Sequence, residues 1–265
     1  MRLRKYVQNA LLGSTAALVV GAHVVPGTDH NGPVLSAASS LVTTPLSSVP
    51  RAEESTVASA TKTALAALEA AVRPLSHSRA LDDAFRSYFA YKAAHPGEVK
   101  KPFLYFVDYG LPSTEPRGYV FNMSSLKIVD GPFTVAHGRG SSTSQYGIPT
   151  RFSNVFGSAA TSLGLYVAQE LYDFHGHTGG RSYSAVGMRL MGVSDGFNDN
   201  ARNRRVVAHG APYVTQAKAG RSEGCPAMEP SRAERLLPKL ADGGMVFLFA
   251  PDPGWMTRDP WVNAN

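Results

Sequence analysis

The feature that most limits how this chain can fold is a change in its hydrophobic pattern after Lys101. From there on, short runs of aromatic and β-branched residues alternate with stretches rich in Gly, Pro, Ser and Asn, a pattern typical of strands joined by turns. The runs cover residues 103–107, 117–122, 126–129, 133–136, 163–168, 186–193, 205–209 and 245–250. The sequence therefore predicts a mainly β (α+β) domain over 98–252, with mostly antiparallel strands and one helix over 230–240.

Upstream of this domain, the chain divides into an apolar start, a spacer and a helical segment. Arg2, Arg4 and Lys5 precede an uncharged, largely apolar stretch over 10–25, which is shorter than the roughly 20 residues that cross a bilayer. This predicts a signal peptide or N-terminal anchor over 1–28, and hence an exported, periplasmic or cell-envelope protein. We expect a flexible Ser/Thr/Pro/Ala linker over 29–55, a helical segment over 56–97 and a tail over 253–265.

Charge and cysteine count exclude several classes of function. Lysine and arginine outnumber aspartate and glutamate by 26 to 20, yet the basic residues cluster only at Arg202, Arg204 and Arg205. We therefore expect no nucleic-acid partner. Because Cys225 is the only cysteine in the sequence, the chain can form no intramolecular disulfide and no multi-cysteine metal site.

Cys225 lies in a polar, glycine-rich stretch over 220–226 (GRSEGCP) rather than in an apolar run. An inert cysteine usually behaves as a small buried hydrophobe, so this setting favours a reactive thiol. A free thiol, with a pKa of about 8.5, is mostly protonated at neutral pH and needs a neighbouring base. Gly224 allows a sharp turn just before the sulfur, and main-chain N–H groups at that turn could form an oxyanion hole.

Two histidines compete for the role of base. His209 ends an apolar run and is followed by Gly210, in the predicted strand before the thiol. His137 stands in the same strand-then-His-Gly pattern, so it is either the rival base or a residue that faces the substrate. His175 and His177 flank a glycine in a predicted loop without an evident third ligand, so we expect no metal and no cofactor.

His209-Gly210 followed by Ser222-Glu-Gly-Cys225 resembles the His-Gly … Ser-x-Gly-Cys signature of the L,D-transpeptidase catalytic domain, the YkuD-type peptidoglycan enzymes. The segments at 137–141 (HGRGS), 151–154 (RFSN), 162–166 (SLGLY) and 198–200 (NDN) resemble a divergent branch, the murein L,D-transpeptidase catalytic domain proteins. The resemblance covers about residues 101–251. It implies a YkuD-like β-sandwich or barrel with the N-terminal helical segment packed on it.

The resemblance also implies a function. A peptidoglycan L,D-transpeptidase of this type uses a cysteine thioester on stem tetrapeptides, with diaminopimelate as the acyl donor, to crosslink or modify the cell wall. By position, Cys225 would be the nucleophile, His209 the base, and Gly224 and Cys225 the oxyanion donors. Four further residues are candidate substrate contacts: Ser222, which would also brace the loop, Arg221, His137 and Asn200. Arg221 is chosen from its charge and place, as a partner for a substrate carboxylate, whereas Asn200 is more simply a turn former.

Two other functions stay open. An L,D-carboxypeptidase or endopeptidase would pass the same thioester to water, and a non-catalytic wall-binding protein would carry an inactive site. Glu223 favours the second, because a negative charge near the sulfur raises the thiol pKa unless it points outward or pairs with Arg221. We expect peptidoglycan stem peptides as partners, a monomer, and a membrane tether if the N-terminal segment is retained.

Overall fold

The computed structural model describes residues 51–264, so the predicted signal segment and most of the predicted linker lie outside the described residues. The helices are α1 Arg51–Leu68, α2 Ala80–Ala94, α3 Pro230–Leu240 and α4 Pro253–Met256. The strands are β1 Phe103–Asp108, β2 Gly118–Asn122, β3 Lys127–Phe133, β4 His137–Gly138, β5 Gly164–Thr178, β6 Arg181–Gly192, β7 Val207–Gly210, β8 Arg221–Ser222, β9 Ala227–Met228 and β10 Met245–Phe249. Within 51–264, no helix combines the length and the apolar character needed to cross a membrane.

Eight strands form one mixed sheet in the order β3-β2-β1-β10-β5-β6-β7-β9, and β4 pairs with β8 in a separate two-stranded ladder. In the large sheet, β1 runs parallel to β10 and β7 parallel to β9, while the other neighbours are antiparallel. The Ala136 amide donates to the Ala227 carbonyl, so the segment that follows β3 meets β9 at the other edge of the sheet. The prediction of a mainly β fold is confirmed.

The centre of the sheet is buried because its sequences are apolar without interruption. β10 (MVFLF) is buried along its whole length and β1 (FLYFVD) at all but its first residue, as expected for strands covered on both faces. Helix α3 packs one apolar side against the core, with Pro230 in its first turn where a missing N–H costs nothing. The buried side chains of this helix are Ala233, Leu236, Leu237 and Leu240.

The β5–β6 hairpin is longer than the sequence predicted. The first five residues of β5 are buried, and the rest alternate between exposed and partly buried. Gly179 and Gly180 both have positive φ, 55° and 74°, the conformation of a two-residue turn that matches the twist of paired strands. The strands therefore pair up to the tip, and the expectation that His175 and His177 lie in a loop is wrong: both belong to β5.

The ends of the described region also differ from the expected boundaries. Helix α1 begins at Arg51, so the last residues of the predicted linker are helical. The predicted tail packs on the core rather than extending away from it. Trp255 is buried and its indole donates to Asp259 at 2.8 Å, and the Trp261 indole donates to the Val193 carbonyl at 2.6 Å.

Candidate active site

Strand β7 carries His209 into a buried position beside the turn that holds Cys225. His209 pairs with Gly187 of β6 on one side and with Ala227 of β9, just past the thiol, on the other. The two side chains line the same cleft of ≈ 360 Å³. The cleft lies between the β5–β6 hairpin, the 204–206 segment and the 221–225 segment, and its remaining lining residues are Phe174, His175, Gly176, His177, Thr178, Tyr183, Arg204, Arg205, Val206, Tyr213, Arg221, Ser222 and Glu223.

The His209 ring is fixed in one tautomer. Its Nδ1 lies 2.9 Å from the Gly210 carbonyl oxygen, and because a carbonyl only accepts, Nδ1 carries the proton and Nε2 keeps a free lone pair. Phe174 stacks on the imidazole, with ring centroids 3.9 Å apart and planes 17° from parallel. Burial lowers the pKa of His209 from 6.5 to about 4, so the ring is a neutral base at pH 7.

Cys225 is partly exposed to the cleft but is surrounded mainly by protein. Burial raises the pKa of its thiol from 9.0 to about 11, and the Glu223 carboxylate acts in the same direction. The Val207 amide and the Arg204 guanidinium oppose this rise. The thiol and the imidazole are therefore both neutral at pH 7, and attack by the sulfur requires a base that takes its proton during the reaction.

Ser222 holds the turn before the sulfur by hydrogen bonds, and two glycines allow the backbone to pack closely there. Ser222 Oγ accepts from the Gly224 amide at 3.1 Å and donates to the Cys225 carbonyl at 2.7 Å. Gly224 has φ +125°, a region that favours glycine. Gly138 of β4 is packed so closely that a Cβ there would lie 2.8 Å from the Gly224 Cα.

These contacts change the role predicted for Gly224. Its amide is already used by Ser222 Oγ, so it is not free to bind an oxyanion in this structure, and its contribution is the shape of the turn. Among the described residues, no acceptor pairs with the Cys225 amide. The Cys225 N–H is thus the donor that remains for an oxyanion at this turn.

Two predicted site residues lie outside the cleft lining. His137 is fully buried, and its Nδ1 lies 2.9 Å from Arg117 Nη2; burial lowers its pKa to about 3. Asn200 binds Asn154 through its backbone amide and its side-chain amide, both at 3.2 Å. Neither residue is among those that line the Cys225 cleft, so a role for either in substrate binding stays a prediction.

Both charged residues of the 221–225 segment line the cleft, but they have different partners. Arg221 lines the cleft and donates to the Ser142 carbonyl at 3.1 Å. Glu223 pairs with Arg139 at 2.7 Å, not with Arg221, and both partners are well exposed. The Glu223 carboxylate still raises the pKa of the Cys225 thiol.

The sequence did not single out several cleft residues. Arg204 appeared only as part of a small basic cluster, and Phe174, Tyr183 and Tyr213 carry no recognisable motif. The alternation of polar and aromatic residues over 172–175 was a usable signal for a strand with an aromatic face. Among residues 51–264, no group of three or more His, Cys, Asp or Glu side chains could hold a metal ion.

The family model described as the L,D-transpeptidase catalytic domain (YkuD_2) matches residues 74–249, well over half of the chain. The chain belongs to this family. The match includes helix α2, the strands up to β10, and the whole segment that carries His209 and Cys225. No curated protein matches the chain at a significant level.

Among solved structures, an L,D-transpeptidase from Mycobacterium smegmatis is 14% identical with a TM-score of 0.33, and the alignment covers 56% of this chain and 59% of that one. An L,D-transpeptidase from Stackebrandtia nassauensis is 18% identical with a TM-score of 0.36, covering 67% and 69%. The chain thus spans less than two thirds of the first of these relatives. Likenesses this distant do not position individual residues of the site.

Proposed function

We propose that this chain is a peptidoglycan L,D-transpeptidase with Cys225 as the nucleophile and His209 as the general base. The observation that carries the proposal is the shared cleft, in which a thiol faces the same space as an imidazole whose Nδ1 is held by a backbone carbonyl. Membership of the family supports the reaction class. Because peptidoglycan lies outside the cytoplasm, the same proposal supports export to the cell envelope.

The reaction proceeds in two acyl transfers. His209 Nε2 takes the proton of the Cys225 thiol while the sulfur attacks the carbonyl carbon at the L-centre of diaminopimelate in a stem tetrapeptide. The C–N bond to the terminal residue breaks, and its amine leaves with the proton from His209. An amine of a second stem then attacks the thioester, the C–S bond breaks, and the proton lost by that amine returns through His209 to the sulfur.

The cleft offers partners for the charges of such a substrate. Arg221 and Arg205 line it, and guanidinium groups suit the carboxylates of a stem peptide. Phe174 and Tyr183 provide apolar surface beside the reacting atoms. Glu223, the residue that would favour an inactive wall-binding protein, pairs with Arg139, while its carboxylate still raises the pKa of the Cys225 thiol.

Incubation with a disaccharide tetrapeptide, followed by mass spectrometry of the products, tests the proposal. A crosslinked dimer is expected, and a tripeptide alone would identify an L,D-carboxypeptidase instead. Cys225→Ser should abolish turnover and His209→Gln should lower it by orders of magnitude. His175→Gln is the matched control, since this exposed histidine also lines the cleft, and should keep activity near the wild-type level. Turnover that survives in Cys225→Ser contradicts the proposal.

A further inference from the structure

Arg204 is a half-buried cation without an ion-pair partner among the described residues. Its Nη1 donates to Ser162 Oγ at 3.0 Å, and its Nη2 donates to the Ala160 carbonyl at 2.6 Å and to Ser158 Oγ at 3.3 Å. All three acceptors are neutral. Moving a charge out of water costs free energy that neutral acceptors offset only in part, so the position of this charge calls for a reason beyond anchoring the 158–162 segment.

The guanidinium lies at the turn that carries the nucleophile. Arg204 lines the cleft together with Cys225, and a Cβ placed on Gly224 would lie 3.6 Å from Arg204 Nη2. The Ser162 hydroxyl that receives Nη1 also lies 2.8 Å from the Tyr166 hydroxyl. Arg204 therefore connects the 158–162 segment, the residue just before the sulfur and a buried tyrosine.

Among the groups whose charge acts on the pKa of the Cys225 thiol, Arg204 is the cation, although Arg205 and Arg221 also line the cleft. Glu223 is negative and raises the thiol pKa, whereas the Arg204 charge lowers it. His209 lines the same cleft with a pKa lowered to about 4 and is neutral. The remaining groups that interact with the thiol are tyrosines whose pKa values are all raised, so they are neutral too: Tyr109, Tyr166, Tyr172, Tyr183 and Tyr213.

We propose that Arg204 is a positioning residue that fixes the 158–162 segment against the Cys225 turn and holds a positive charge beside the sulfur, where negative charge develops as the proton leaves. This inference rests on the proposed function, since the developing charge is that of the attacking thiolate. A fixed cation in a partly desolvated site acts on such a charge more strongly than one in water. The inference assigns the charge, and not only the hydrogen bonds, of Arg204 to the reaction.

The test compares two alkylating reagents of similar size on Cys225, the only cysteine of the sequence. Iodoacetate is anionic and iodoacetamide is neutral, so the ratio of their rates reports the local charge and is insensitive to the thiolate fraction. Arg204→Gln should lower the iodoacetate-to-iodoacetamide ratio by about tenfold, and Arg204→Lys should keep it within about twofold of wild type. In the wild-type protein, the ratio should fall as sodium chloride is raised.

Arg202→Gln is the control, since it removes one positive charge from the same loop, where Arg202 pairs with the exposed Glu170 at 3.4 Å. It should leave the ratio unchanged. If Arg204 were purely structural, Arg204→Gln would slow alkylation by both reagents equally, and Arg204→Lys would show the same slowing. An iodoacetate-to-iodoacetamide ratio in Arg204→Gln equal to that of wild type overturns the inference. If that variant does not fold, a wild-type ratio that does not change with salt concentration overturns it.

The two proposals fail separately. Alkylation needs no wall substrate, so an unchanged ratio removes the role of Arg204 while tetrapeptide turnover by Cys225 still stands. Tetrapeptide turnover that persists in Cys225→Ser removes the proposed function, whatever the alkylation ratio. Release of the donor's terminal residue by Arg204→Gln links the two, because its rate should fall in parallel with the loss of thiol reactivity.

Discussion

Gly138 offers a sharp test of how closely the Cys225 turn is packed. A Cβ added at Gly138 would stand 2.8 Å from the Gly224 Cα and 2.9 Å from the Thr161 backbone nitrogen, and it would overlap the Ala159 carbonyl oxygen. All three are backbone atoms, so no rotamer change can relieve the contacts. Gly138→Ala must therefore shift either the 159–161 segment or the turn that carries the nucleophile.

The expected loss follows from overpacking, which costs about 1–3 kcal/mol of unfolding free energy. For a domain of this size, each kcal/mol lowers the melting temperature by about 2–4 °C, so Gly138→Ala should melt about 2–12 °C below wild type. Differential scanning calorimetry measures this loss. Since both the 159–161 segment and the turn pack around Cys225, a shift of either should also change the rate of Cys225 alkylation by iodoacetamide.

Gly97→Ala is the matched control. A Cβ at Gly97 meets nothing within 4 Å, and no positive φ is found there. At such positions, replacing glycine by alanine is neutral or stabilises the protein by up to about 1 kcal/mol, because alanine lowers the conformational entropy of the unfolded chain. A Gly138→Ala protein that melts within about 1 °C of wild type and alkylates at the same rate would refute the close approach of β4 to the Cys225 turn.

Three further predictions concern the buried titratable groups and the His209 ring. The pKa of His209 is about 4 in the folded protein and 6.5 ordinarily, so the unfolded chain binds more protons between these values and the folded state loses stability as the pH falls from 7 to 4. In urea titrations, His209→Gln should remove about 3 kcal/mol of that loss. Asp83 has the opposite sign, because burial raises its pKa from 3.8 to about 6 and the folded state gains stability as pH falls through that window; Asp83→Asn should remove a gain of about 2 kcal/mol in the same titrations. Phe174→Leu loses the stacking on His209 and should lower the rate at which the donor's terminal residue is released by about tenfold, with the rate of Cys225 alkylation changed little.

Local sequence patterns predicted the parts of the fold that depend on local rules. The uninterrupted apolar runs became β1 and β10, and the helix bounded by Pro230 and a following glycine pair formed as predicted. The length of the β5–β6 hairpin was missed, because the apolar runs at 163–168 and 186–193 stop short of the Gly179-Gly180 turn and the residues between them are exposed or only partly buried.

The two His-Gly pairs show where sequence reasoning about the site reaches its limit. His137 and His209 stand in the same local sequence pattern, and their surroundings differ only through residues that are distant in the sequence. Arg117 binds His137 inside the protein, whereas Phe174 stacks on His209 at the cleft. Arg204 was missed for the same reason, since its acceptors at Ser158, Ala160 and Ser162 lie more than forty positions away in the chain.

The central claim is that Cys225 forms the covalent bond to the donor peptide. Acid quenching of the protein during incubation with disaccharide tetrapeptide, followed by intact-mass and peptide mapping, measures this directly. The account predicts a thioester adduct of the donor without its terminal residue, located on the peptide that contains Cys225, absent in Cys225→Ser and strongly reduced in His209→Gln. Release of the donor's terminal residue at the wild-type rate by Cys225→Ser, with no adduct on the wild-type protein, would contradict it.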